Sequence, residues 1–274
     1  MYWWEAWSTN RQIVGASFPC LQELSIGNFH NLVQVSLEAL PSLRVLKIST
    51  CGHEVLRSLV RAAPSVTMLD IGGIFGLNDH LWRCVVEYLA EIEEVSIGEK
   101  EEDNYGSNLT SLRSLNVMNC DSMEHCSCPD NLEDLHIQGG LKKPFSEWSP
   151  QNFPTSLVEL YLIGGPSEDA TNFSQLSHLL PSSLIDLLIS GFEKVESVLV
   201  DLQHLTSLRH LYVRNCPKLK DLPEMLLPSL FGLNIRACPN LKERSSRRGS
   251  YWPLISRAML LEYSSLEIFQ RNCA

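Results

Sequence analysis

The residue types that could do chemistry are few and scattered. The tightest cluster of metal-type ligands is His125-Cys126-x-Cys128. A structural zinc site takes four such ligands, usually as two pairs at matching spacing, and no second pair follows. The cluster reads as a turn between two repeated units. Carboxylates pair at Glu93–Glu94 and at Glu101–Asp103. Acid–base chemistry needs two groups whose environments differ; the second pair lies in the polar stretch GEKEEDNYGSN and reads as a solvated insertion. The 8 histidines are dispersed, with no H-x-x-x-H on a helix. His53, His80 and His178 fall near helix starts or in connections. There is no G-x-x-x-x-G-K-[ST] loop, no G-x-G-x-x-G turn and no G-x-S-x-G elbow. The expectation is a non-enzymatic chain with no catalytic site, no cofactor and no metal.

What the chain does have is a period. Apolar, two residues, apolar, one residue, apolar recurs from Leu21 (LQELSI), Leu43 (LRVLKI), Val66 (VTMLDI), Ile92 (IEEVSI), Leu112 (LRSLNV), Leu132 (LEDLHI), Leu157 (LVELYL), Leu184 (LIDLLI), Leu208 (LRHLYV) and Leu230 (LFGLNI). A degenerate half-unit sits at Leu32 (LVQVSL). The steps run from 20 to 27 residues, within the range of about 20–29 that leucine-rich repeats use.

Spacing gives the physical reading. The last two apolar positions of each unit are two apart, so they share one face of a short strand. No such strand can bury its face alone; stacked in parallel, all share one core. Eight positions after each start comes an inward turn residue: Cys51, Cys120, Cys216 and Cys238 in four units, Phe29, Ile74 and Phe192 in three others. HEVLRSLVRAA carries Leu56, Leu59 and Val60 at helical spacing, and HLWRCVVEYLAE carries Leu81, Val85 and Leu89. CPKLKDLPEMLLPSL and CPNLKER read as 3₁₀ or irregular connections. Pro41, Pro64, Pro154, Pro181 and Pro228 precede strands and are expected to pre-extend the chain there. The fold class is thus an α/β repeat: a leucine-rich-repeat horseshoe, strands on the concave face, helices and irregular segments on the convex one. Residues 1–20 form an edge or partial repeat, 21–240 about ten repeats, and 241–274 a basic cap or tail in which Tyr251 and Trp252 seal the last repeat.

Composition agrees. The 274 residues include 44 leucines, are 44% hydrophobic and carry a net charge of −10. An acidic chain is a poor general binder of nucleic acid or anionic membrane. No apolar run reaches the ~18 residues of a bilayer span, and the opening MYWWEAWSTN lacks the form of a secretory leader. Nine cysteines are too sparse for a disulfide scaffold. Cytosol or nucleus follows as the expected compartment.

Outward strand positions would line a binding surface in three columns. The first carries Glu94, Asp134, Glu159, Asp186 and His210; the second His136, Tyr161, Leu188 and Tyr212; the third ends in Arg214 and Arg236. Strands lie ~4.8 Å apart, so an acidic stripe should run beside an apolar-aromatic ridge, with arginines at one end. Tyr and Arg are the types enriched where proteins bind proteins.

The phrases SLRVLKISTC, LTSLRSLNVMNCDSM, LTSLRHLYVRNCPKLKDLPEMLLPSL and LNIRACPNLKERSSRRGSYWPLIS resemble the repeats of plant intracellular immune receptors, the nucleotide-binding, leucine-rich-repeat disease-resistance proteins with an N-terminal coiled coil. The resemblance covers most of the chain. It implies a recognition module for a pathogen effector, a host protein or the receptor's own nucleotide-binding domain. The coiled coil and P-loop domain of that family are not in this sequence, so nucleotide binding does not carry over, and the chain is expected to be a truncated receptor or a fragment of one. Three alternatives remain: the substrate-recognition repeats of an F-box ubiquitin-ligase adaptor, a secreted ectodomain glycosylated at Asn108 or Asn172, and a non-functional remnant.

Overall fold

Each repeat makes its strand from the five residues x-L-x-[IV]-x that follow its first two positions. Alternation of apolar and polar side chains along those five gives one buried and one outward face. The computed structural model describes residues 12–16, 18–28, 34–37, 39–74, 85, 87–98, 111–118, 128–139, 153–164, 179–196, 202 and 204–255. The chain forms two compact units, Met1–Glu133 and Asp134–Ala274.

The first unit holds strands β1 (Gln12–Ala16), β2 (Glu23–Gly27), β3 (Gln34–Leu37), β4 (Val45–Ser49), β5 (Met68–Gly72), β6 (Glu94–Gly98) and β7 (Ser114–Met118). Its main sheet runs β2-β4-β5-β6-β7, and its pairs are parallel and in register: Leu46 opposes Leu24 and Leu69, and Ile97 opposes Ile71 and Val117. The half-unit at Leu32 supplies β3, which pairs instead with β1 in a separate two-stranded parallel sheet. Helix α1 (His53–Ala62) packs against β3. It buries Leu56, Leu59 and Val60, as their spacing predicts, and Val55 as well. Of the second expected helix, Val85 and Leu89 are buried; Leu81 lies outside the described residues.

The second unit holds β8 (Asp134–Gln138), β9 (Glu159–Ile163), β10 (Asp186–Ser190), β11 (His210–Arg214) and β12 (Gly232–Arg236), in that order in a parallel sheet. Each unit is therefore a stack of parallel-strand repeats, a solenoid built on one apolar ladder. In the second unit Leu135, Leu160, Leu187 and Leu211 are all 0–1% exposed, and each such side chain contributes about 1.5–3 kcal/mol on burial.

Two devices recur at the strand ends. At nine repeat starts among the described residues, the amide of the repeat's first apolar residue closes a turn onto the carbonyl three residues earlier, as in Leu43 to Leu40 at 3.2 Å, Leu157 to Pro154 at 3.1 Å and Leu230 to Leu227 at 3.4 Å. The prolines belong to these turns and do not extend the strands. Pro41, Pro64 and Pro228 take the second turn position, which their fixed φ suits; Pro154 and Pro181 supply the accepting carbonyl.

After seven of the strands, one residue turns left-handed. Asn28, Thr50, Asn215 and Ala237 have φ of 62°, 51°, 52° and 55°, and Gly73, Gly139 and Gly191 share that region. All seven stand seven positions after a repeat start. Their amides still extend the ladder by one rung, Thr50 to Gly72 O and Asn215 to Arg236 O, both at 2.9 Å. The left-handed step then sends the next side chain inward: Cys51, Phe192, Cys216 and Cys238 are buried, whereas Ile74 is half-buried. Phe29 and Cys120 lie outside the described residues. Burial pushes the Cys51 thiol up to about 11. The Cys216 thiol is raised by its contact with Cys238 and then by burial, so both are packing groups.

The end of the second unit departs from expectation in one respect. CPNLKER, read as irregular, forms helix α2 (Pro239–Ser245). Proline opens it where no amide partner is needed, and Leu241 anchors it in the core. A 3₁₀ turn at Leu227–Ser229 does match the irregular reading. Helix α3 (Trp252–Ile255) follows. Tyr251 is fully buried; Arg244 lies over its ring, 4.8 Å from the centroid, and pairs with Asp221. Trp252, named with Tyr251 as a seal, is only half-buried.

Candidate interaction face

The outward columns expected from spacing are present strand by strand. In the second unit the first column runs Asp134, Glu159, Asp186, His210, Gly232, each the register partner of the next. The second runs His136, Tyr161, Leu188, Tyr212, Asn234, and the third Gln138, Ile163, Ser190, Arg214, Arg236.

The acidic stripe is hydrogen-bonded from within. His210 Nδ1 lies 2.6 Å from Asp186 Oδ1, one strand away. Tyr161 donates its hydroxyl to Glu159 at 3.2 Å. Burial, then the charges of Glu159 and Asp186, hold the Tyr161 phenol protonated well above its usual range. A carboxylate carrying such a bond is oriented by it.

The ridge is lower than spacing suggests. Leu188 is 6% exposed, so it floors the surface between two tyrosines instead of standing out with them. The cause is its neighbours: Tyr161 and Tyr212 flank it in register on either side. His136 meets Tyr161 edge to face, ring centroids 4.2 Å apart. Burial lowers the His136 pKa to about 4, so it is a neutral imidazole at physiological pH. Tyr212 sits under the Arg214 guanidinium, 5.8 Å from centroid to charge.

Glu94 belongs to the first unit and a different neighbourhood. There Lys47 pairs with Glu23 at 3.0 Å and opposes Asp70 in register. Burial raises the Asp70 carboxyl, with Lys47 opposing. Glu94 is raised by burial and then by the charge of Asp70. Beside this group the third column is nearly bare: Gly27, Ser49, Gly72, Gly98. The structure thus gathers ten of the expected surface residues in the second unit and puts Glu94 in the first.

Ser190 and Asn234 were not singled out from the sequence. Ser190 adjoins Arg214 in the third column and Asn234 stands in the second, two residues before Arg236, so reading diagonals across columns would have found them. Among the described residues no group of three or more metal-type ligands converges, and no helix is long and apolar enough to cross a membrane. His125, Cys126, Asn108 and Asn172 lie outside the described residues. No protein-family model and no curated protein matches the chain.

Proposed function

We propose that this chain is a leucine-rich-repeat recognition module of the plant immune-receptor type, binding a protein partner and performing no chemistry of its own. The observation that carries the reading is the in-register face of the second unit: three acidic groups, a tyrosine-flanked apolar floor and two arginines within five strands. Tyrosines and arginines around an apolar centre are the residue types in which binding energy concentrates. In a receptor, such a face would engage a pathogen effector, a host protein or the nucleotide-binding domain of the same chain, in the cytosol or nucleus.

The class is tested by sequencing the 5′ end of the native transcript. An upstream frame encoding a P-loop domain supports the receptor reading; an F-box or a secretory leader overturns it in favour of the adaptor or the ectodomain. The face is tested by alanine at Tyr161 and Tyr212 and by charge reversal at Glu159. Loss of partner binding with an unchanged melt is expected, and retained binding overturns the assignment.

A further inference from the structure

The two arginines at the end of the third column are unusually placed. Arg214 and Arg236 are direct register partners on neighbouring parallel strands. Like charges facing each other across a strand pair are destabilising unless something neutralises them. Among the described residues neither arginine makes an ion pair. Arg214 Nε is buried and makes no hydrogen bond, although its guanidinium is held over Tyr212. Arg57 Nε is likewise buried and unbonded, but there the charge is met by Glu54 at 2.9 Å. The nearest first-column carboxylate on β10, Asp186, is occupied by His210. Ser190 is the register partner of Arg214 on the other side, and Asn234 precedes Arg236 by two residues on the same strand face. Two arginines, a serine and an asparagine are therefore register neighbours at one corner of the sheet, and neither arginine pairs with an anion of the protein's own among the described residues.

We propose that Arg214 and Arg236, with Ser190 and Asn234, form a subsite for an acidic side chain of a polypeptide partner. A planar guanidinium matches a carboxylate bidentately, and a second arginine in register on the next strand offers a further donor fork to the same group. The same face also dictates what else the partner carries. A uniformly acidic segment is repelled by Asp134, Glu159 and Asp186. The segment that fits is bipolar, a carboxylate at the arginine corner and a cation at the acidic stripe. From Glu159 to Arg236 is four residues along a strand and three strands across, roughly 19 Å at ~3.3 Å per residue and ~4.8 Å per strand. An extended segment covers that in about six residues. The subsite deepens the recognition reading and rests on it.

The test titrates the intact protein with three probes and reads the arginine Nε–H signals by NMR. The probes are a six-residue-spaced Lys…Phe…Glu peptide, the same peptide with Gln for Glu, and inorganic phosphate. The Glu peptide is expected to shift Arg214 and Arg236 saturably and to bind at least fivefold tighter than the Gln peptide. That preference should vanish in Arg236→Gln, whose exposed side chain leaves the fold intact, and in Arg214→Gln. Equal binding of the two peptides, or phosphate shifting the signals as strongly as the Glu peptide, overturns the subsite. Equal binding that still weakens in Glu159→Lys leaves the recognition face standing without it. No binding by any probe overturns the bipolar fit.

Discussion

The amide of Leu222 donates to the phenolic oxygen of Tyr251 at 3.0 Å, across 29 residues of chain. Arg244 donates to the same oxygen at 2.9 Å. One buried hydroxyl thus satisfies a backbone group of the preceding segment and orients the side chain that pairs with Asp221. Tyr251→Phe keeps the ring and removes the acceptor, leaving a buried amide unmatched. A loss of about 1–3 kcal/mol is expected, seen as a lower urea midpoint with an unchanged slope.

His136 makes stability depend on pH. Its folded pKa of about 4 lies below the unfolded value of about 6.5, so the unfolded chain binds the extra proton first. The buried neutral ring costs nothing above the unfolded pKa. Below it stability falls by up to about 1.4 kcal/mol per pH unit, levelling off under the folded value. His136→Phe retains an edge for Tyr161 and is expected to flatten that part of the curve in denaturation series between pH 7 and 4.

Glu94 acts with the opposite sign. Its carboxyl is raised in the fold, so the folded protein binds that proton more readily than the unfolded chain. The ionised group is a net penalty at neutral pH, relieved as pH falls through the folded pKa. Glu94→Gln should therefore raise the melting midpoint at pH 7 and leave it unchanged near pH 3. Equal midpoints at pH 7 would show that burial and Asp70 do not penalise the ionised group.

The left-handed step predicts a reciprocal pair of substitutions. Gly191 has φ +77°, and a Cβ there would stand 3.2 Å from Gly164 O. Gly191→Ala is expected to destabilise by about 1–2 kcal/mol. Ala237 already bears that strain at φ 55°. Ala237→Gly relieves about 1–2 kcal/mol against a backbone-entropy cost of about 0.5–1 kcal/mol, so it should be neutral to mildly stabilising. Paired urea melts of the two variants check both signs.

The strands were legible because their signal is repeated and local. Leu46, Leu69 and Leu211 each announce an inward position, and every copy reinforces the register of the next. The columns followed from the same arithmetic, which is why Asp186 and His210 meet as spacing requires. What spacing did not reveal is depth. Leu188 occupies an outward position, yet the two tyrosines beside it take away its exposure, and only packing decides that. The left-handed residues were also hidden, because Asn, Thr, Ala and Gly share no obvious type; their common feature is backbone conformation. CPNLKER was misread because proline suggests a break, although at the first helical position it starts one. The pairing of β3 with β1 was not legible either, since a half-unit has no second copy to fix its partner.

Parallel register within the second unit also dictates how it responds to load. The starts of its last three repeats, Leu184, Leu208 and Leu230, are 24 and 22 residues apart. Strand pairs in series carry the same tension, and the terminal repeat, held by a neighbour on one side only, peels first. Each detachment frees a contour of roughly 75–82 Å at ~3.4 Å per residue. The unit would yield as a mechanical ratchet, giving way in near-equal increments at modest force instead of rupturing in one event.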